Sequence, residues 1–234
     1  MPTLQKIHSH DDDPLLRSLL KAWIGATQRY LNIFTEDNCW WYNERATLST
    51  LAGAAWSLKD WIALEEFSTA KHAKTEAGVE SGELRAGRCD LVLSNKDVSF
   101  AIEAKQAWQP IGNRADGFNY RLKAQQAAWG DCWHLTKFEG DRRFAVTFVT
   151  PTIRLSEVKA DQGTGLDEHK VQERLDAWLT LCGDFRSAPK RKTSYAYLFP
   201  DIGSNPFSNA THHYPGVVVI FEEMPPRTKR PAEA

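Results

Sequence analysis

The sequence predicts an α/β fold, because segments with helical spacing of apolar residues are interleaved with segments in which apolar and polar residues alternate. The clearest alternation lies in 88–105, where Leu91 and Leu93 precede a turn and Phe100 and Ile102 follow it. The run 144–150, FAVTFVT, is apolar throughout, which is typical of a central strand covered on both faces. Helices packed around a sheet are therefore expected.

Composition limits the classes of protein that the chain can belong to. Its 234 residues suit one domain with additions. A net charge of −1 gives no overall attraction to nucleic acid, so such binding would need local basic clusters. The four cysteines form no CxxC pair, which argues against a zinc site or a disulfide framework. With neither a secretion signal nor a membrane-length apolar run, the expected location is the cytoplasm, with no membrane partner.

Two helices are predicted near the start of the chain. Asp13 and Pro14 are a cap and a first helical residue, and an apolar stripe continues to about Leu31. The preceding polar run 8–13, HSHDDD, could bind divalent cations weakly, although a terminal run of this kind is usually a mobile tail. A second helix is expected from about Asn43 to Ser57.

Glu44 falls on the buried face of the second helix, four residues before Leu48. It could belong to a functional site. An acid in the first turn could equally do no more than complement the helix dipole. Its position in the sequence leaves both interpretations open.

A strand is predicted over 61–67, WIALEEF, although its length also permits a continued helix, and a mobile loop or extended turn follows over 69–87. Arg85 and Arg88 stand just before Asp90. They could meet the phosphates of a substrate, or they could pair with Glu83 and Glu80.

The segment 88–105 reads as a β-hairpin that carries three ionisable side chains toward one place. With Asn95 and Lys96 as a two-residue turn, Asp90 lies opposite Ala101, and Glu103 is its diagonal neighbour on the same face. Lys105 shares that face, two residues further on. Solvated charges at a hairpin end are common, but apolar neighbours indicate a covered face, where carboxylates need a metal or a partner charge.

A long helix is predicted over 113–135, with Gln125 on its apolar side. This amide needs hydrogen-bond partners, which it could find in the core backbone or in the carboxylate cluster. Beyond 152, a helix over 167–182 and strands at 194–199 and 217–223 are expected, and His212 and His213 are expected at the surface. The basic runs 189–193 and 227–230 could touch a phosphate backbone, but such runs are more often solvated.

The order of predicted elements from 43 to 151, αβββαβ, resembles the PD-(D/E)XK nuclease superfamily, whose fold is restriction-endonuclease-like. Asp90 matches the first metal-binding acid of that family, and Glu103 matches the second. Lys105 matches the family's lysine, and Glu44 matches its optional helix acid. The segment QQAAW, 125–129, is similar to the QxxxY helix of the exonuclease branch, although Trp129 stands in place of Tyr. Cys89 stands where the motif has Pro.

The resemblance implies a central mixed four-stranded sheet flanked by helices, within a chain divided into four segments. They are an N-terminal helix and loop, 1–42; the nuclease core, 43–151; a C-terminal α/β extension, 152–226; and a basic tail, 227–234. The expected activity is hydrolysis of DNA by a Mg²⁺-dependent, or Mn²⁺-dependent, nuclease.

Specific roles follow from the same resemblance. Metal ligands would come from the Asp90 and Glu103 carboxylates, the Ala104 carbonyl and Glu44. Lys105 would orient the attacking water or offset developing charge, and Gln125 would position Lys105 or a phosphate oxygen. The candidate substrate contacts are Arg85, Arg88 and Arg121. A protein partner or a homodimer is left open, and the alternative to a nuclease is a nuclease-like module that binds DNA or protein without cleaving.

Overall fold

The computed structural model describes residues 3–72, 84–113, 119–136, 139–161, 165–202 and 206–226. Over these residues the chain is an α/β protein built on one mixed β-sheet. No helix in the described ranges has the length and apolar character needed to cross a membrane. The predicted basic tail, 227–234, lies outside the described residues.

Five α-helices are present among the described residues. They are α1 (Pro14–Ile33), α2 (Glu44–Trp56), α3 (Tyr120–Trp133), the short α4 (Leu155–Val158) and α5 (Glu168–Cys182). The first two begin where the sequence predicts, because the side chains of Asp13 and Asn43 accept hydrogen bonds from backbone N–H groups of the first turn. The third begins at Tyr120, later than the predicted 113, and its cap is Asn119, whose side chain accepts a hydrogen bond from Leu122 N.

Eight strands are described, and most are longer than their sequence patterns suggest. They are β1 (Leu4–His8), β2 (Ile62–His72), β3 (Leu84–Ser94), β4 (Ser99–Pro110), β5 (Arg142–Arg154), β6 (Lys192–Phe199), β7 (His212–His213) and β8 (Val217–Glu223). The strand β5 passes through Pro151 rather than ending there. Both ends of the loop expected over 69–87 are strand.

The strands lie in the order β1-β6-β8-β5-β4-β3-β2, and the short β7 pairs with the end of β5. Neighbours are antiparallel except β4 and β5, which are parallel and are joined through α3. The sheet is larger than the predicted four strands, because β8 pairs with β5 and β6 pairs with β8. The N-terminal strand β1, which the sequence pattern did not predict, pairs with β6.

Helices cover both faces of the sheet. One large core cluster joins α1 and α2 to side chains of the central strands such as Ile102 and Phe144. On the opposite face, α3 packs on Ala101 and Ala145, and α5 packs on residues of β5, β6 and β8 such as Val149. The central strands are therefore covered on both sides, as the apolar run of β5 predicts.

The expectation that His213 lies at the surface is wrong. Its side chain is 0% exposed, and its Nδ1 lies 3.0 Å from Ser208 Oγ. Pairing of β7 with β5 draws this residue into the protein. Burial lowers the pKa of the His213 imidazole to about 4.

Candidate active site

The hairpin of β3 and β4 has a longer turn than the sequence predicts. Ser94 pairs with Ser99, so four residues, 95–98, form the connection. Asn95 explains the length, because its Oδ1 accepts hydrogen bonds from the N–H groups of Asp97 and Val98 at 2.8 and 2.9 Å. The predicted two-residue turn is therefore wrong, and the register is shifted by two residues.

This shift changes which residue of β4 the register brings opposite Asp90. The regular β3–β4 ladder ends at the pair Leu91 and Ile102. Extending the same register by one residue would bring Glu103, rather than Ala101, across from Asp90, although the two are not themselves a ladder pair. Because the shift is an even number of residues, the alternation of side chains between faces is unchanged.

Beyond that pair, carboxylates bind the backbone of β4 in place of a neighbouring strand. Ala104 N donates to Asp90 Oδ2 at 2.8 Å, and Gln106 N donates to Glu44 Oε2 at 3.1 Å. These two N–H groups are two residues apart and therefore point to the same side of the strand. Asp90 and Glu44 thus meet at one edge of β4, although they come from β3 and α2.

The start of α2 is fixed over β4 by the loop that precedes it. The Trp40 carbonyl oxygen accepts hydrogen bonds from Gln106 Nε2 at 2.8 Å and from Thr150 Oγ1 at 3.0 Å. Asn43 then caps the helix, which makes Glu44 its first residue. The structure places Glu44 both in the first turn and against β4, so the two interpretations of this acid are compatible.

The electrostatics of Glu44 link it to the other ionisable groups. Burial raises the pKa of its carboxyl group, and the nearby charges of Asp90 and Asp131 add to this effect. The ammonium of Lys105 and the hydrogen bond from Gln106 act in the opposite direction. Glu44, Asp90 and Lys105 are therefore close enough to influence one another's ionisation.

Lys105 is held by an acid that the sequence did not indicate. Its Nζ lies 3.0 Å from Asp131 Oδ2 on α3. Burial alone would lower the pKa of Lys105, but the hydrogen bond and charge of Asp131 outweigh it and the net pKa is raised. The charges of Glu44 and Asp90 contribute in the same direction. Lys105 is consequently a firmly protonated cation at neutral pH.

Glu103 and Ala104 are among the most buried parts of the site. The Glu103 side chain is 3% exposed, and its charge adds to the burial that raises the pKa of the Cys89 thiol to about 12. The Ala104 carbonyl oxygen, a predicted metal ligand, accepts a hydrogen bond from Lys105 Nζ at 3.0 Å. A cation at this oxygen would have to displace the ammonium.

The structure places Gln125 away from Lys105. Its Nε2 donates to the Phe185 carbonyl oxygen at 2.8 Å, and its Oε1 accepts from Arg121 Nη1 at 2.6 Å. This is the core-backbone alternative rather than the carboxylate cluster. Asp131, six residues later on the same helix, is the residue that contacts Lys105.

The predicted substrate arginines lie in different surroundings. Arg88 Nη1 forms an ion pair of 3.1 Å with Glu66 Oε2, and two-thirds of its side chain is exposed. Its predicted partners Glu80 and Glu83, and the side chain of Arg85, lie outside the described residues. Arg121 is buried beside Gln125, with 7% of its surface exposed. Arg88 and Arg121 therefore do not belong to one basic surface.

The donor chemistry of the site fits a hard cation held by few protein ligands. In the described ranges, no group of three or more His, Cys, Asp or Glu side chains is arranged to hold a metal ion. Magnesium commonly uses only one or two carboxylates and completes its shell with water and phosphate oxygens. Asp90 and Glu103 could supply those two, with Glu44 as a nearby third acid.

Sequence reasoning missed Asp131 and the backbone of Gln106. Asp131 lies three residues after Ala128 on the inward side of α3, a spacing that was a usable signal. The hydrogen bond from Gln106 N required knowledge of where β3 leaves β4. Trp129, at the position of the family's Tyr, lies 3.8 Å from the Arg191 guanidinium in a cation–π contact.

The chain matches no protein-family model, and no curated protein or solved structure is significantly similar to it. Its function must therefore be inferred from the geometry of its own side chains.

Proposed function

We propose that the protein is a metal-dependent nuclease that hydrolyses phosphodiester bonds of DNA. One observation carries the proposal. Glu44 and Asp90, from separate elements, bind alternate backbone N–H groups of β4 beside a protonated Lys105. Glu44, Asp90 and Asp131 gathered with Lys105 beside one strand are costly to retain in a purely structural role.

Within this α/β fold, we propose a restriction-endonuclease-like core that runs from α2 to β5. Its support is the element order α2-β2-β3-β4-α3-β5, with an antiparallel meander of three strands followed by a parallel fourth. In this proposal β8, β6 and β1 are additions that widen the core sheet. They lie on the far side of β5 from the acids.

Each side chain would have a distinct task in the reaction. Asp90 and Glu103 would hold Mg²⁺ or Mn²⁺, which when bound lowers the pKa of water and offsets phosphate charge. Lys105 would donate a hydrogen bond to a phosphate oxygen or to the attacking water. Asp131 would keep Lys105 charged and in position, and Glu44, whose pKa is raised by burial, would accept a proton.

The test is cleavage of supercoiled, linear and single-stranded DNA by the purified chain with Mg²⁺ or Mn²⁺. Cleavage should vanish with EDTA and in Asp90→Asn, Glu103→Gln and Lys105→Met. Asp97→Asn, which removes an exposed acid from the turn of the same hairpin, is the matched control and should cut normally. Cutting that persists in all three site variants would refute the assignment.

A second candidate, a nuclease-like binding module, is favoured by one observation. Lys105 Nζ already donates a hydrogen bond to the Ala104 carbonyl oxygen and forms an ion pair with Asp131. These contacts are satisfied without a metal ion. Calorimetric titration separates the two. Heat of Mg²⁺ or Mn²⁺ binding that is lost in Asp90→Asn supports the nuclease, whereas DNA binding without metal binding or cleavage supports the module.

A further inference from the structure

A cavity of about 410 Å³ opens between the end of β4, the start of α3 and the helix α5. Its lining includes Gln109, Arg121, Arg174, Trp178 and Cys182. Ten residues of α3 separate Arg121 from Asp131, which corresponds to roughly 15 Å along the helix. The cavity is therefore distinct from the site around Lys105. Its volume is within the usual range for small-molecule sites, about 300 to 1,000 Å³.

The cavity contains a buried cation whose contacts are neutral. Arg121 Nη1 donates to Gln125 Oε1 and to the Phe185 carbonyl oxygen, and the guanidinium also contacts the Cys182 thiol. The guanidinium lies 5.9 Å from the centre of the Phe185 ring. Within the described ranges, no Asp or Glu forms an ion pair with Arg121, which is 7% exposed. A buried charge without a counter-charge is expensive, so an anion would be stabilised here.

A second guanidinium faces the same space. Arg174 Nε is buried and makes no hydrogen bond to the described residues, and its distance to Glu157 Oε2 is 3.8 Å. Arg174 Nη1 also lies 3.9 Å from Glu173 Oε1, so this guanidinium has two carboxylates near it, both beyond hydrogen-bond distance. A pair of guanidinium groups is the arrangement that suits a doubly charged, tetrahedral phosphate. Trp178 and Ile111 give the cavity an apolar wall against which a planar base could lie.

We propose that this cavity binds the phosphate monoester of a nucleotide, either free or at the end of a nucleic-acid strand. Arg121 supplies the principal cation, and Arg174 supplies the second. The site goes beyond the proposed nuclease activity and needs neither Asp90 nor Lys105. Binding of the phosphate and cleavage of DNA can therefore fail independently.

The binding test is calorimetry on the full chain without divalent cations. Deoxyadenosine 5′-monophosphate should bind once per chain, inorganic phosphate should compete with it, and deoxyadenosine should not bind. Arg121→Gln and Arg174→Gln should each weaken binding at least about ten-fold, because each loses charge-assisted hydrogen bonds. Arg17→Gln, the removal of an exposed arginine on α1, is the matched control and should bind normally.

Two further arms identify the source of the phosphate. A 5′-phosphorylated oligonucleotide that binds more tightly than its unphosphorylated form and than the mononucleotide identifies a strand end. If the two oligonucleotides bind equally and the mononucleotide binds more tightly than either, the ligand is the free nucleotide. Asp90→Asn should bind the mononucleotide like the unaltered protein, which separates this site from the nuclease proposal.

Cysteine labelling reports where the ligand sits. Cys39, Cys89 and Cys132 are buried, whereas Cys182 is only partly buried and lines the cavity. Saturating mononucleotide should slow maleimide labelling of Cys182 in the native protein. The proposal is overturned if no phosphate compound binds at millimolar concentration. The proposal is also overturned if the mononucleotide binds equally well to Arg174→Gln and does not protect Cys182 from labelling. This outcome can be read even if Arg121→Gln does not fold.

Discussion

Asp90 fixes the backbone of the neighbouring strand at Ala104, because its Oδ2 accepts a hydrogen bond from Ala104 N at 2.8 Å. The side chain therefore has a structural task as well as its proposed metal-binding one. These tasks can be separated, since an Asn side chain keeps an oxygen that accepts the N–H but loses the charge that binds a cation.

Two substitutions of Asp90 should therefore differ in stability while sharing a loss of cleavage. Asp90→Asn should remain close to the unaltered protein in its free energy of unfolding, whereas Asp90→Ala should lose about 1 to 3 kcal/mol. Urea denaturation followed by tryptophan fluorescence measures both. Equal stabilities for the two variants would show that the Ala104 hydrogen bond contributes little.

The ion pair between Lys105 and Asp131 should set the alkaline limit of activity. Asp131→Asn removes the charge that raises the pKa of Lys105, so the ammonium should lose its proton at a lower pH. A pH–rate profile should show the alkaline fall in cleavage rate moved to lower pH, with the rate near pH 7 less affected. An unchanged alkaline limb in this variant would remove Asp131 from the positioning of Lys105.

Glu44 should contribute to cleavage while lowering the stability of the folded protein as the pH rises. Because burial raises its pKa, the folded state holds a proton that the unfolded state releases, and stability falls as pH rises from about 4.5 through the raised pKa. Glu44→Gln keeps an acceptor for Gln106 N and should abolish this fall while lowering cleavage. Melting temperatures between pH 4 and 8 check the first effect, and an unaltered pH dependence would contradict it.

His213 should make the protein sensitive to mild acid. Its folded pKa of about 4 lies below the ordinary value of 6.5, so the unfolded state binds a proton first as pH falls. Stability should be full above about pH 6.5 and should decrease toward pH 4, by roughly 3 kcal/mol at most. His213→Gln should flatten this part of the stability curve, as followed by urea denaturation at several pH values. A decline that is equally steep in the variant would assign the acid sensitivity to other groups.

Local signals were sufficient for the parts of the fold that are specified by near neighbours. Asp13 and Asn43 are helix caps that act within three residues, so α1 and α2 could be predicted from the sequence. The alternation in β3 and β4 likewise depends on each strand alone. The presence of Asp90, Glu103 and Lys105 on one hairpin was therefore predictable.

Features that depend on distant contacts were not predictable in the same way. The turn length depends on the side chain of Asn95, which bonds two N–H groups ahead of it. The width of the sheet depends on pairing between β5 and β8, whose sequences show that each is a strand but not which strand lies beside it. Asp131 joins the site only because α3 crosses β4 at Lys105.

The carboxylates of Asp90 and Glu44 also protect the protein against self-association through its β-sheet. Where β3 leaves β4, the N–H groups of Ala104 and Gln106 would otherwise form a template for an additional strand. The acids satisfy those donors and put negative charge at this half-buried edge of β4. Replacing both by alanine would leave these donors unpaired and should make the protein prone to edge-to-edge self-association, because the two proposed active-site acids also close this stretch of β4.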